Sequence, residues 1–267
     1  MRSSSSVATL PAQPRETAVA SGKNYIYAIV EDIEPRSYPS LGIEGKDVHT
    51  ISDGRIAAVV SGLADSKIRP ARANLTAHQS VLKCLLAETT PLPMAFGSVA
   101  ASPEAIRRML VRNRHSFQGQ LRRVAGKIEM GLRVAWDTPN IFEYFVNTDA
   151  ELRAARDRVA GAGRELTRNE KIELGRMFDR RLTEEREQHT AKMQQALVSV
   201  CVEFKVNQCR TEREVMNLAC LVPREAQEEF SATVQAAAKL FDNNFAFDYS
   251  GPWAPHNFVE LELDLEE

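Results

Sequence analysis

Cysteine is scarce in this chain and never clustered. Cys84, Cys201, Cys209 and Cys220 are all it has in 267 residues, and no two form a Cys-x-x-Cys step. That spacing speaks against a zinc ribbon and against a secreted disulfide framework, and the expected compartment is the reducing cytosol. Long apolar runs are missing too. No segment approaches the roughly 18 consecutive apolar residues of a membrane-crossing helix, so no membrane partner is expected. Charge of one sign is not in excess: 34 basic against 36 acidic residues leave a formal net charge of −2. The chain as a whole is therefore no polyanion binder. Residues 1–23 are rich in Ser, Ala and Pro, lack the continuous apolar stretch of a signal peptide, and read as a disordered arm.

Catalytic signatures are equally thin. There is no glycine-rich phosphate loop, no nucleophile–base pair and no ligand cluster with metal spacing. His78 and Cys84 are six residues apart, about 600° of helix rotation, which sets them on opposed faces. Glu185 and His189 are four apart and share a helix face, but no third ligand accompanies them. Catalytic, cofactor and metal residues are accordingly expected to be none, and a structural role is the expectation for all five histidines.

What is present is patterned hydrophobicity, at 43% of residues. Tyr25–Val30 is a continuous run of strand formers. Val48–Ile51 and Arg55–Ser61 flank Ser52-Asp53-Gly54, whose Asp-Gly step marks a tight hairpin turn. Residues 74–88 space Leu75, Val81, Leu82, Leu85 and Leu86 along one helical face, with Asn74 or Thr76 as cap. Leu92–Phe96 reads as a short strand between prolines and a glycine. Ser102-Pro103-Glu104 then supplies a cap, a proline at the first helical position and an acid in the first turn.

The second half opens on a strict alternation over 127–136. Ile128, Met130, Leu132, Val134 and Trp136 share one face, and Glu129, Gly131, Arg133 and Ala135 the other. A helix over about 149–160 and an interruption at Gly161-Ala-Gly163 follow. The capping box Thr167-x-x-Glu170 then starts a long helix. Strands at Val202–Val206 and Val215–Val222, a helix after Pro223 and a strand at Phe245–Tyr249 complete the order. The expectation is an α+β protein of two domains, 24–125 and 126–250. The second has the β-α-β-β-α-β order of a ferredoxin-like domain and the first is a variant of it. Residues 251–267 form an extended acidic tail.

Several strings, taken together and in order, resemble the gas vesicle protein F/L family. They are Tyr25–Val30, Arg55-Ile-Ala-Ala-Val-Val-Ser61, His78 before Val81-Leu82, Pro93-Met-Ala-Phe-Gly-Ser98, Gly126-Lys-x-Glu129, and Gly251-Pro-Trp-x-Pro255 before Phe258-Val259. The resemblance covers roughly residues 24–260. It implies a non-enzymatic accessory protein of gas vesicle formation, a minor vesicle component. The implied partner is the small hydrophobic major shell protein, which must stay soluble before it joins the wall; other minor gas vesicle proteins are further possible partners. The implied location is the cytoplasm and the vesicle.

The residues themselves suggest where partners would sit. Arg107, Arg108, Arg112, Arg114, Arg122, Arg123 and Lys127 follow one another with no acid between them, a docking face for an acidic partner or a solvated helix surface. No aromatic ladder accompanies them, so nucleic acid is not expected. Leu92, Met94 and Phe96 border a possible open sheet edge and are, with Arg107, Arg108 and Arg112, the candidate partner-binding residues. In the tail Val259, Leu261, Leu263 and Leu265 alternate with acids, and are candidates to dock by strand addition, on this chain or on a client. Trp253 is expected as a core or interface anchor. An enzyme on a ferredoxin-like scaffold finds no supporting residues. A ferredoxin-like regulatory or ligand-binding module unrelated to a shell is the alternative.

Overall fold

The computed structural model describes residues 22–31, 36–64, 68–160 and 167–260. Most of the expected arm, the Gly161–Gly163 interruption, and Leu261, Leu263 and Leu265 of the tail lie outside them. Among the described residues, two antiparallel sheets and seven α-helices make up a mixed α+β fold.

The first sheet is built around β1 (Asn24–Glu31), buried along all but its last residue. A run apolar on both faces needs cover on both faces, and it has it. β2 (Ser37–Tyr38), β3 (Val48–Ser52) and β4 (Ile56–Gly62) extend the sheet on one side of β1. On the other side β1 pairs with two short strands, β5 (Leu92–Pro93) and β6 (Val99–Ala100). The β3–β4 hairpin turns at Gly54, whose φ of +87° is the left-handed conformation that the Asp-Gly step announces. Helix α1 (Arg72–Glu88) packs on one face through Val81, Leu82 and Leu85, against Tyr25, Tyr27, Ala28 and Val30. Helices α2 (Pro103–Arg112) and α3 (Arg114–Val124) cover the other, burying Ile106, Leu110, Phe117 and Leu121 over Ile26, Ile29, Val60 and Leu92. A register shift between Ile26 and Ala28 lets Tyr27 and Ala28 both serve the α1 face.

Three local expectations need correction. Helix α1 begins at Arg72 after Ala71, with no side-chain cap, so neither Asn74 nor Thr76 caps it, and Leu75 is 42% exposed. The strand expected over 92–96 pairs in the ladder only at Leu92 and Pro93; Met94 N still donates to Tyr27 O, and a turn closed from Ser98 N to Ala95 O then takes the chain out of the sheet. The helix from Ser102, whose hydroxyl does accept from Ala105 N, is split at Asn113 into α2 and α3.

The second sheet has the order β10-β7-β9-β8, all neighbours antiparallel. Its strands are β7 (Lys127–Trp136), β8 (Glu203–Asn207), β9 (Glu214–Pro223) and β10 (Phe245–Trp253). Helices α4 (Ile141–Thr148), α5 (Ala150–Ala160), α6 (Arg168–Leu197) and α7 (Gln227–Ala238) accompany it. The alternation of β7 has its expected consequence: Ile128, Met130, Leu132, Val134 and Trp136 join one core with Phe145, Leu182, Met193, Leu197, Phe230 and Val234 of the helices. The capping box at Thr167 and Glu170 forms reciprocally, as spaced. Helix α4, capped by Asn140, lies where no helix was expected.

The two sheets are stitched together. Leu86 of α1 joins the second core. The Arg224 guanidinium donates to Leu86 O at 2.5 Å, and Thr90 Oγ1 donates to Lys127 O at 3.0 Å. Beyond β10 the chain crosses back, so that Ala254 enters the α1-side core, Phe258 buries on Ala219 and Leu221, and Val259 packs against the α2–α3 core.

Candidate functional site

Four places carry grouped polar chemistry. The first is the surface of α2 and α3. Arg107, Arg108 and Arg112 are exposed there. The basic run is less bare than its sequence suggests. Arg114 donates to Asp53 at 2.7 Å, Arg123 binds both carboxylate oxygens of Glu203 at 2.8 Å, and Arg107 lies 3.7 Å from Glu104. The acids come from the β3–β4 turn, from β8 and from the residue three before, where no scan for acids inside 107–127 finds them. Leu92, Met94 and Phe96 do not join this surface. Leu92 is fully buried and Met94 is 5% exposed, both in the core beneath α2 and α3. Phe96 is half-buried on the α1 side, its ring 6.0 Å from that of Tyr25.

The second place is the face of the second sheet that its helices leave open. Here a groove of about 920 Å³ is lined by Glu129, Arg133, Asn217, Asp248, Trp253 and their neighbours. Trp253 sits at its rim, 42% exposed, with the indole N–H donating to Ser250 Oγ at 3.2 Å. It is thus no core anchor: β10 pairing sets it opposite Glu129 on the open face. Glu129 was expected on a polar face and is instead only 6% exposed. Asn257 covers it, donating its backbone N–H at 2.8 Å and its side-chain amide at 2.6 Å. Burial pushes the Glu129 carboxyl up, and those two bonds pull against it.

The third is the chain from 256 to 260, whose Asn257 lines this groove. Arg123 donates to Phe258 O, Gln120 to Glu260 O, and Lys205 pairs with the Glu260 carboxylate at 2.6 Å. This crossing starts the expected tail, of which Val259 is described; no signal in the sequence marked Asn257 or Phe258 as its anchors beyond their place after a Pro-Trp-x-Pro string.

The fourth is a buried aromatic cluster in the first sheet. His78, 2% exposed, has Nδ1 2.9 Å from the Tyr25 hydroxyl. That hydroxyl also accepts from Gly97 N, and the Tyr27 hydroxyl meets Ser61 Oγ at 2.8 Å and accepts from Ile43 N. Desolvation pushes Tyr25 up to about 12 and His78 down to about 4, the latter helped by the nearby His256. His78 is thus a buried, hydrogen-bonded residue of the core. Glu185 and His189 do meet, at 3.1 Å, but Glu185 is also held by Arg181, and no group of three metal-capable side chains occurs among the described residues.

None of these places assembles a nucleophile with a base. Three of them are surface, a basic helical face, an open sheet face and the crossing over it, and the fourth is a buried aromatic cluster. Comparison with known proteins gives that surface a context. The family described as gas vesicle synthesis protein GvpL/GvpF matches residues 23–260. Gas vesicle protein F of Dolichospermum flosaquae is 25% identical over 241 residues, 89% of this chain and 98% of that protein. Gas vesicle protein F2 of Halobacterium salinarum is 24% identical over 247 residues, 91% and 94% of the two chains. The crystal structure of GvpF from Anabaena sp. PCC7120 shares the fold with a TM-score of 0.79 at 24% identity, covering 91% of this chain and all of that one. No helix among the described residues is long and apolar enough to cross a membrane. With a match that runs from the first strand to the crossing over the second sheet, this chain belongs to the gas vesicle GvpL/GvpF family.

Proposed function

We propose that this protein serves gas vesicle formation as a non-enzymatic accessory factor, cytoplasmic and vesicle-associated, that binds the hydrophobic major shell protein and keeps it from aggregating before it enters the wall. The observation that carries this reading is family membership over residues 23–260. Physically, a client rich in apolar surface aggregates unless a partner covers that surface. In our reading the chain has two units, 24–125 and 126–250, and the second is ferredoxin-like, its β10-β7-β9-β8 order supporting that description. The client contact is the outer side of α2 and α3, where Arg107, Arg108 and Arg112 surround Val111, itself 54% exposed. Leu92 and Met94 contribute from beneath, as the core that holds those helices.

Co-expression with the major shell protein tests this. The expected result is that the client becomes soluble and co-elutes, and that reversing Arg107 and Arg108 to Glu reduces its capture without changing the melting temperature. A client that stays insoluble beside the folded protein refutes the reading. Capture that survives the reversal but is lost with residues 259–267 moves the contact from the helices to the tail.

A further inference from the structure

The second sheet has an open edge that no part of the shell-protein reading uses. Strand β8 pairs with β9 on one side, and among the described residues no strand pairs with it on the other. Its side chains divide cleanly between the faces. Glu203, Lys205 and Asn207 stand opposite Leu221, Ala219 and Asn217 on the groove face. Phe204 and Val206 stand opposite Cys220 and Leu218 on the helix-packed face. Apolar surface is left in water here: Val206 on the helix-packed face is 60% exposed, Val202 just before β8 56%, and Val198 at the end of α6 66%. A crevice of about 490 Å³ continues it between α6 and the β8–β9 pair, past Ala191, Val206 and Val215. Sheets normally guard such an edge with an outward lysine or a proline. Here the lysine, Lys205, is tied to Glu260 on the groove face at 2.6 Å.

We propose that β8 pairs antiparallel with β8 of a second copy of this chain, about a two-fold axis through Phe204. A two-fold normal to the sheet keeps each face on its own side, so it must pass through a residue. Through Glu203 or Lys205 it sets like charges directly opposite, which destabilises a pair. Through Val206 it sets Phe204 against Gln208 and leaves Val202 unmatched. Through Phe204 every facing pair agrees: Phe204 with the partner's Phe204, Val202 with the partner's Val206, and Glu203 with the partner's Lys205. The groove face then carries alternating charge across the axis, because Arg123 already holds Glu203 and Glu260 already holds Lys205. The same patch meets its copy, as closed two-fold dimers require, and the exposed valines leave water together.

Sedimentation equilibrium of the full chain is the test. The mass is expected to rise from 29.8 kDa to twice that value as concentration passes from about 1 to about 100 μM, by mass action. Val206→Lys, at an exposed position, should sediment at the monomer mass throughout and, at about 1 μM where the wild type is also monomeric, keep the wild-type melting temperature. Register is read by cross-linking under mild copper-phenanthroline oxidation. A chain carrying Val202→Cys and Val206→Cys together should give a covalent dimer, because those positions face each other about 5 Å apart. Each single variant should give none, its two copies being about 14 Å apart. A wild type that stays monomeric, as it would if a foreign strand or the chain's own end covers this edge, overturns the proposal. So does a Val206→Lys chain that still dimerises, or a single variant that cross-links as well as the double.

Discussion

Replacing His78 with glutamine should remove a large part of the fold's acid sensitivity. The imidazole is 2% exposed, bonded at 2.9 Å to the Tyr25 hydroxyl and ringed by Tyr25, Tyr27 and Phe96. Desolvation, and then the charge of His256, hold it at about 4 instead of 6.5. It is therefore neutral in the fold until about pH 4, while the unfolded chain takes up its proton near 6.5. Between those values the unfolded state binds one proton more, so stability falls as pH falls. At about 1.36 kcal/mol for each pH interval the whole effect is about 3.4 kcal/mol, of which about 2.5 is lost by pH 4.5. That is a large share of the about 5–15 kcal/mol that holds a domain together. Glutamine does not titrate and still offers an amide to Tyr25. Urea unfolding at pH 7.5 and pH 4.5 should show the wild type losing about 2.5 kcal/mol more than His78→Gln. His49 and His189, both lowered by burial, lose stability in both chains, and their contribution drops out of the difference; His256, also lowered by burial, interacts with His78, so its share is part of what the substitution removes. Acid limbs that run parallel for the two chains would refute the assignment of His78 as a buried neutral group.

Two further outcomes concern the crossing over the second sheet. Phe258→Ala removes a fully buried ring from Ala219 and Leu221 and should cost about 3–5 kcal/mol, read as a lower urea midpoint with unchanged slope. Gly251→Ala should destabilise by about 1–3 kcal/mol, read by the same measurement. Gly251 has φ of +130°, and an added Cβ would sit 2.8 Å from Met130 Sδ and 3.0 Å from Glu129 O. A Gly251→Ala chain as stable as the wild type would show that this turn relaxes freely.

The elements that were legible in the sequence are those whose signal lies within a few residues. The alternation over 127–136, the Asp53-Gly54 turn, the Ser102 cap and the Thr167–Glu170 box each depend on spacings of two to four residues, and each forms as spaced. Where the signal was weak or contested, reading failed. Asn74 and Thr76 are good caps that the helix simply starts ahead of, its first bond already closed from Leu75 N to Ala71 O. The strand at 92–96 has the apolar content of a strand but ends in a turn at 95–98, where Gly97 has φ of +94°.

Pairing of polar groups was a different matter. Arg114 meets Asp53 across 61 residues, Arg123 meets Glu203 across 80, and Asn257 covers Glu129 across 128. Nothing in the neighbourhood of any of these residues encodes its partner. By itself the sequence determined the α+β character, most strands and helices, and a family resemblance carried by strings in a fixed order. Only the tertiary structure decided that Leu92 and Met94 are core and not surface, that the basic run is partly neutralised, that Glu129 is buried and Trp253 is not, and which strand edge stands open. The reason is physical: helices and turns close over hydrogen bonds between near neighbours, whereas burial and charge pairing depend on where the whole chain returns to itself.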